Sequence, residues 1–186
     1  MSNLIKPILE ASYLNQAEAQ ERMKQYGFTY DNELSNNLNK VFIDANGNPH
    51  IAFRGSKRVE DFLIHDPLAV IGLDKFSSRF QDAKKLVGDV ERKYGKGANV
   101  YGNSLGGRLA ETSGAHGNIV THNKLTGLAD IGKTLPSNQT DIRTSNDIPS
   151  LLANTQRHNG EIISLPSQYN LVYGHLPESI PNNFSI

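Results

Sequence analysis

The sequence contains no cysteine and no long apolar run. Without cysteine the chain cannot form disulfides, thiolate zinc sites or a thiol nucleophile. No apolar stretch reaches the roughly 20 residues that a transmembrane helix needs. The first residues also lack the basic start and apolar run of a signal peptide. We therefore expect a protein of the cytoplasm or of a virus particle, whose chemistry depends on Ser, His, Asp, Glu or Lys.

The sequence also lacks an excess of charge of either sign. Lys and Arg together number 19, as do Asp and Glu, so the formal net charge is zero. A neutral chain has no overall field that attracts nucleic acid, and we expect no nucleic-acid partner. Hydrophobic residues make up 37% of the 186 residues and charged residues 20%, a composition typical of a folded domain.

The N-terminal part of the chain is rich in residues that favour helices. Ala, Gln, Glu, Met and Lys predict one helix over residues 8–27, which Gly27 ends. Its apolar face is narrow, so we expect this helix to lie on the protein surface. We assign residues 1–30 to an N-terminal helical segment packed on a single domain, residues 31–186.

The domain alternates strand and helix patterns. Asn46-Gly47 between two apolar runs predicts a hairpin of residues 41–44 and 50–54. Apolar residues at steps of three and four predict a helix over 76–94. Further patterns predict a second helix over 108–116 and short strands at 98–101, 119–121, 141–143 and 161–163. The fold class is therefore α/β, with a mixed, mainly parallel sheet of five or six strands flanked by helices.

Gly102-Asn103-Ser104-Leu105-Gly106 matches the pattern G-x-S-x-G. An apolar strand enters it and a helical stretch leaves it, which is the setting of a nucleophilic serine on a sharp turn. The helix that follows would direct its N-terminal amides at the negative charge formed during attack. An ordinary serine in a glycine-rich turn is the structural alternative.

A serine nucleophile needs a base to take its proton and a carboxylate to orient that base. In the order Ser, Asp, His, the base follows both other residues, and His175 on a Gly/Pro-rich late loop fits best. His158 is the reserve candidate, although its polar neighbours indicate a solvated turn. His116 and His122 are interpreted as surface or packing residues.

Three aspartates lie between the candidate serine and His175. We prefer Asp147, because it follows a predicted strand at its carboxyl end, where catalytic groups of α/β sheets gather. Asp130 is the second choice, and Asp141 opens a predicted strand, where it would be an edge or capping residue. The oxyanion donors are expected to be the backbone amides of Leu105 and of Ser56, which follows the strand at Phe53.

Together these segments resemble the class 3, fungal-type lipases of the α/β-hydrolase fold, from about residue 38 to residue 179. Residues 51–56 (IAFRGS) are similar to the family's oxyanion segment, and residues 100–110 (VYGNSLGGRLA) to its nucleophile elbow. Asn146-Asp147-Ile148-Pro149 resembles the segment that carries the catalytic aspartate. The compact, Asn-rich form is also similar to lipase-like proteins of large DNA viruses and phages.

The resemblance implies ester hydrolysis of an acyl lipid or phospholipid, with transient contact to a membrane surface and without metal or organic cofactor. Asn103 departs from the family, which has His there, and we expect altered hydrogen bonding beside the nucleophile. The apolar residues 62–73 stand where a lid would lie, or form a helix packed on the sheet. The alternatives are another serine hydrolase, such as a peptidase or thioesterase, and a non-catalytic binding or virion protein with this fold.

Overall fold

The computed structural model describes residues 4–56, 77–127, 130–145, 147, 151–166 and 174–184. The α-helices within these ranges are α1 (Ile5–Ala11), α2 (Gln16–Lys24), α3 (Ser77–Tyr94) and α4 (Leu105–Thr112). The strands are β1 (Thr29–Tyr30), β2 (Asn39–Ile43), β3 (Pro49–Phe53), β4 (Asn99–Asn103), β5 (Ile119–His122), β6 (Thr134–Leu135), β7 (Gln139–Thr144), β8 (Arg157–His158) and β9 (Glu161–Leu165). Two 3₁₀ helices span Leu151–Thr155 and Pro177–Ser179.

Seven of these strands form one mixed sheet in the order β1-β2-β3-β4-β5-β7-β9. The first three strands are antiparallel, and every pairing from β3 onwards is parallel. The predicted α/β class with a mixed, mainly parallel sheet is confirmed, although the sheet has seven strands rather than five or six. The carboxyl ends of β4, β5 and β7 lie side by side, which places the loops that follow them at one edge.

Local sequence signals explain the elements around this sheet. The Asn46-Gly47 hairpin is confirmed, and Gly47 adopts the positive φ of 74° that its turn requires. The helix predicted over residues 76–94 is confirmed as α3, with Ala83, Val87 and Val90 buried on its apolar face. The second helix, α4, begins earlier than predicted, because glycines that usually end helices are here part of its first turn.

The prediction of one helix over residues 8–27 is wrong. The segment forms α1 and α2, separated at Asn15, whose side chain accepts a hydrogen bond from the Glu18 amide and starts α2 in a capping box. The expected surface position holds for α2, most of whose residues are exposed, with only Ala19 and Met23 buried. It is wrong for α1, because most of that helix, including Ile8 and Leu9, is buried against the sheet.

Each face of the sheet has its own hydrophobic cluster. One cluster joins α1 and α2 to sheet residues Phe42, Ala52 and Tyr101. The other joins α3 and α4 to residues of the opposite face, including Ile51 and Val100. Helices thus cover both faces, as the parallel part of a sheet requires.

Two further observations concern membrane-spanning helices and the apolar residues 62–73. No helix in the described ranges is both long enough and apolar enough to span a membrane. The apolar residues 62–73, considered above as a lid or a packed helix, lie outside the described residues.

Candidate active site

Ser104 stands between β4 and α4 with a strained backbone. Its φ of 57° and ψ of −123° are unusual for a residue with a Cβ, and such strain costs about 1–3 kcal/mol. The carbonyl of His122 accepts a hydrogen bond from the Ser104 amide at 3.0 Å, and the Ser104 carbonyl accepts one from the Leu125 amide at 3.1 Å. The residue is 1% exposed, and its Oγ makes no hydrogen bond to any described residue.

Close backbone contacts on either side of Ser104 require glycine. A Cβ added to Gly102 would overlap the carbonyl of Gly106, and a Cβ added to Gly106 would overlap the carbonyl of Phe53 in β3. The backbones of β3, β4 and the first turn of α4 therefore meet so closely that no side chain fits at Gly102 or Gly106. This contact fixes Ser104 at the carboxyl edge of the sheet, beside the exit of β3.

Asp147 and His175, separated by 28 residues, meet at the same edge. Asp147 follows β7, and its amide donates to the Thr144 carbonyl at 3.0 Å. Nδ1 of His175 and Oδ1 of Asp147 are 2.5 Å apart, and both residues are buried. A carboxylate only accepts hydrogen bonds, so the donor toward a carboxylate at this position is the Nδ1–H of His175, which leaves Nε2 as the ring nitrogen that can contact a second group. The structure thus joins the predicted acid to the predicted base.

Asn123, which directly follows β5, ties the Asp147 and His175 segments together. Its side-chain Nδ2 donates to Thr144 Oγ1 at 3.1 Å and to the Gly174 carbonyl at 2.8 Å, and its Oδ1 accepts from the Thr144 amide. Asn123 adopts a positive φ of 43°, which asparagine tolerates better than most residues. The sequence interpretation missed this residue, although its place after a parallel strand was a usable signal.

The predicted oxyanion segment passes beside Ser104. A Cβ built on Gly55 would lie 2.8 Å from the Asn103 carbonyl and 3.5 Å from the Ser104 Cβ. Ser56 follows directly, while Leu105, whose amide is the other predicted donor, opens α4 and is fully buried. The first amides of a helix have no intrahelical acceptor, so the Leu105 N–H suits an anion beside Ser104.

The other two acid candidates, Asp130 and Asp141, belong to a network of buried ion pairs that includes Arg108 of α4. Asp130 accepts from Arg108 at 2.5 Å and from Lys133 at 2.7 Å. Asp141 pairs with Lys124 at 2.6 Å and with Arg143 at 3.1 Å. The interpretation of Asp141 as an edge or capping residue is wrong, because β7 lies between β5 and β9 and the residue is 1% exposed.

His158 is part of this same network. Its Nε2 lies 3.1 Å from Asp141 Oδ2 and 2.9 Å from Arg143. The prediction that His158 lies in a solvated turn is therefore wrong. Burial raises the pKa of Asp141, but His158, Lys124 and Gln139 outweigh burial and hold it well below its usual range. The described residues contain no group of three or more acidic or histidine side chains placed to hold a metal.

His122 proves to be a buried neighbour of the candidate triad. Its Nδ1 donates to the Asn103 side-chain oxygen at 2.7 Å, and its Nε2 faces Ser179 Oγ at 3.3 Å. Burial, with a smaller contribution from His175, lowers the pKa of His122 to about 3. This imidazole is therefore neutral across the pH range in which esterases are assayed, and it serves as a hydrogen-bonding group.

The low pKa of His122 predicts a specific loss of stability in acid. The unfolded chain binds a proton at His122 below about pH 6.5 whereas the folded chain does not, so stability falls as pH falls. Between pH 7.5 and 4.5 the unfolding free energy of the wild type should drop by about 2–3 kcal/mol more than that of His122→Gln. Urea unfolding at both pH values measures this difference. Equal losses in the two proteins would contradict a neutral, buried His122.

The chain was compared with protein-family models, with curated proteins and with solved structures, and none of them matches it significantly.

Proposed function

We propose that this protein is a serine carboxylic ester hydrolase of α/β-hydrolase type, with Ser104 as nucleophile, His175 as base and Asp147 as the orienting acid. The observation that supports it most is the 2.5 Å hydrogen bond between Asp147 and His175 at the sheet edge that also carries Ser104. A buried carboxylate and imidazole joined at the sheet edge that carries a strained serine suit nucleophilic catalysis better than a purely structural role.

The proposed reaction proceeds through an acyl-enzyme. His175 Nε2 takes the proton from Ser104 Oγ as that oxygen attacks the ester carbonyl carbon. The amides of Ser56 and Leu105 hold the tetrahedral oxyanion, and His175 then gives its proton to the departing alcohol. In the second half, His175 takes a proton from a water that attacks the acyl carbon, and it returns that proton to Ser104 Oγ as the carboxylic acid leaves. Asp147 stabilises the imidazolium in both halves.

The hydrogen bond from Ser104 to His175 has to form when substrate binds. Nucleophile–base hydrogen bonds are often long or poorly aligned without substrate and tighten in the substrate complex. The Ser104 side chain is not committed to another described partner, so rotation about its Cα–Cβ bond is not opposed by an existing hydrogen bond.

The proposed substrate is an acyl ester, by similarity to class 3 lipases a lipid or phospholipid met at a membrane surface. That similarity rests on the oxyanion, elbow and aspartate segments described above. A peptide or thioester substrate would use the same three residues, because a triad does not determine the acyl donor.

Labelling with a fluorophosphonate probe tests the proposal. The wild type should carry one adduct at Ser104, located by peptide mass spectrometry, and the Ser104→Ala variant should carry none. The same preparation should hydrolyse short p-nitrophenyl esters, and an emulsified triacylglycerol assay then separates a lipase from an esterase. A wild type with neither adduct nor turnover would be a non-catalytic protein, and the proposal would fail.

A further inference from the structure

Tyr13, in the turn between α1 and α2, places its hydroxyl between two parts of the candidate site. The Asn103 side chain donates to Tyr13 Oη through Nδ2 at 3.1 Å. A Cβ built on Gly55 would fall against the same oxygen, and the Gly55 backbone N–H points toward it. One phenol oxygen thus contacts the residue before the nucleophile and the residue before the oxyanion donor Ser56.

The environment of Tyr13 keeps its hydroxyl protonated. Burial raises the pKa of Tyr13, and the hydrogen bonds from Asn103 and Gly55 lower it by less. The group is therefore a neutral phenol near neutral pH, not an acid or base. A neutral phenol can still hold neighbouring groups in place by hydrogen bonding.

Tyr13 belongs to a chain of contacts that runs across the site from Ser179 to Gly55. Ser179, four residues after His175, contacts His122, and His122 donates to the Asn103 side chain. Asn103 in turn donates to Tyr13, which meets Gly55. The links join the 3₁₀ helix after His175, the last residues of β5 and β4, the turn between α1 and α2 and the Gly55 loop. The geometry of each of these segments therefore depends on the others.

We propose that Tyr13 is a positioning residue, which fixes the Gly55-Ser56 loop against Asn103 so that the Ser56 amide points at the developing oxyanion. This inference rests on the proposed ester hydrolysis. An oxyanion donor acts through preorganisation, because its hydrogen bond strengthens only as charge develops. Loss of the Tyr13 hydroxyl leaves the loop in place but less rigidly held, which weakens transition-state binding more than substrate binding.

The Tyr13→Phe variant of the full chain tests the inference on a p-nitrophenyl ester. Removing one oxyanion donor outright costs about 10²–10³ in kcat, so a loosened donor should cost about 10–100-fold. The KM should change less than about 3-fold. The Ki of a trifluoromethyl ketone, whose hemiketal oxygen occupies the oxyanion site, should rise by the same factor as kcat falls. If the hydroxyl had a purely structural role, the fall in kcat and the rise in Ki would not be equal.

Tyr94→Phe is the matched control. Its hydroxyl also makes a strong hydrogen bond, 2.6 Å to Asp31, but lies away from the site. This variant should lose stability and keep the wild-type kcat and Ki. If Tyr13→Phe fails to fold, Asn103→Ser removes the other end of the 3.1 Å bond and should lower kcat at least about 5-fold.

The outcomes separate the inference from the function on which it rests. A wild type without turnover or fluorophosphonate adduct refutes ester hydrolysis itself. An active wild type whose Tyr13→Phe variant keeps the wild-type kcat and inhibitor Ki refutes the role of Tyr13 alone. An unchanged kcat in a folded Asn103→Ser variant refutes it as well.

Discussion

Ser104→Ala and His175→Ala should each lower kcat for an activated ester by about 10⁴–10⁶-fold, with the fold retained. Without the serine oxygen no acyl-enzyme forms, and without the imidazole the serine keeps its proton. The two losses should be nearly equal, because the residues act as one unit. Steady-state kinetics on p-nitrophenyl esters, with far-UV circular dichroism on the same samples, measures both.

Two further serine variants serve as controls for this result. Ser104→Gly should be as inactive as Ser104→Ala yet more stable by about 1–2 kcal/mol, because glycine adopts the φ of 57° without strain. Ser78→Ala, an exposed change in α3, should keep full activity. Substantial turnover in either Ser104→Ala or His175→Ala would contradict the assigned roles.

Gly102→Ala should destabilise the protein by at least about 3 kcal/mol and remove its activity. The new Cβ would overlap the Gly106 carbonyl carbon and oxygen and approach the Gly107 amide. All of these are backbone atoms of the same turn, so no side-chain rotation relieves the overlap. Chemical denaturation measures the loss, and fluorophosphonate labelling of the folded fraction measures the damage to the site.

Gly88→Ala is the matched control for the glycine substitution. Gly88 lies in α3, and a Cβ there meets no atom within 4 Å. Since alanine favours the helix by about 0.5–1 kcal/mol over glycine, this variant should be slightly more stable than the wild type. Near-wild-type stability of Gly102→Ala would show that the strand and helix do not meet as closely as described.

The order of elements in the domain was predictable because each carries its own local signal. The stripe of α3 and the Asn-Gly turn of the β2–β3 hairpin depend on residues a few positions apart, which a sequence displays directly. The same holds for Ser104, whose glycine neighbours mark the turn. The place of Asp147 followed from the rule that parallel strands end together, whereas His175 was chosen by the order Ser, Asp, His and by its late loop.

The predictions that were wrong or incomplete concern residues that contact distant parts of the chain. Nothing near His158 in sequence reveals Asp141, and nothing near Tyr13 reveals Asn103, which is 90 residues away. The division of the first helix into two depends on the cap at Asn15, which a composition rich in helix formers obscured. Hydrogen bonds across such separations need coordinates before they can be assigned.

The cluster under α1 joins residues that are more than 150 positions apart in the sequence. Ile5, Ile8 and Leu9 pack in one group with Leu165 of β9 and with Ile180, and Lys6 donates to the Asn182 side chain at 2.8 Å. During synthesis the first helix therefore emerges long before its last partners exist. Its apolar side is exposed until Leu165 and Ile180 have also left the ribosome, and in that interval the nascent protein is most open to chaperones and to aggregation.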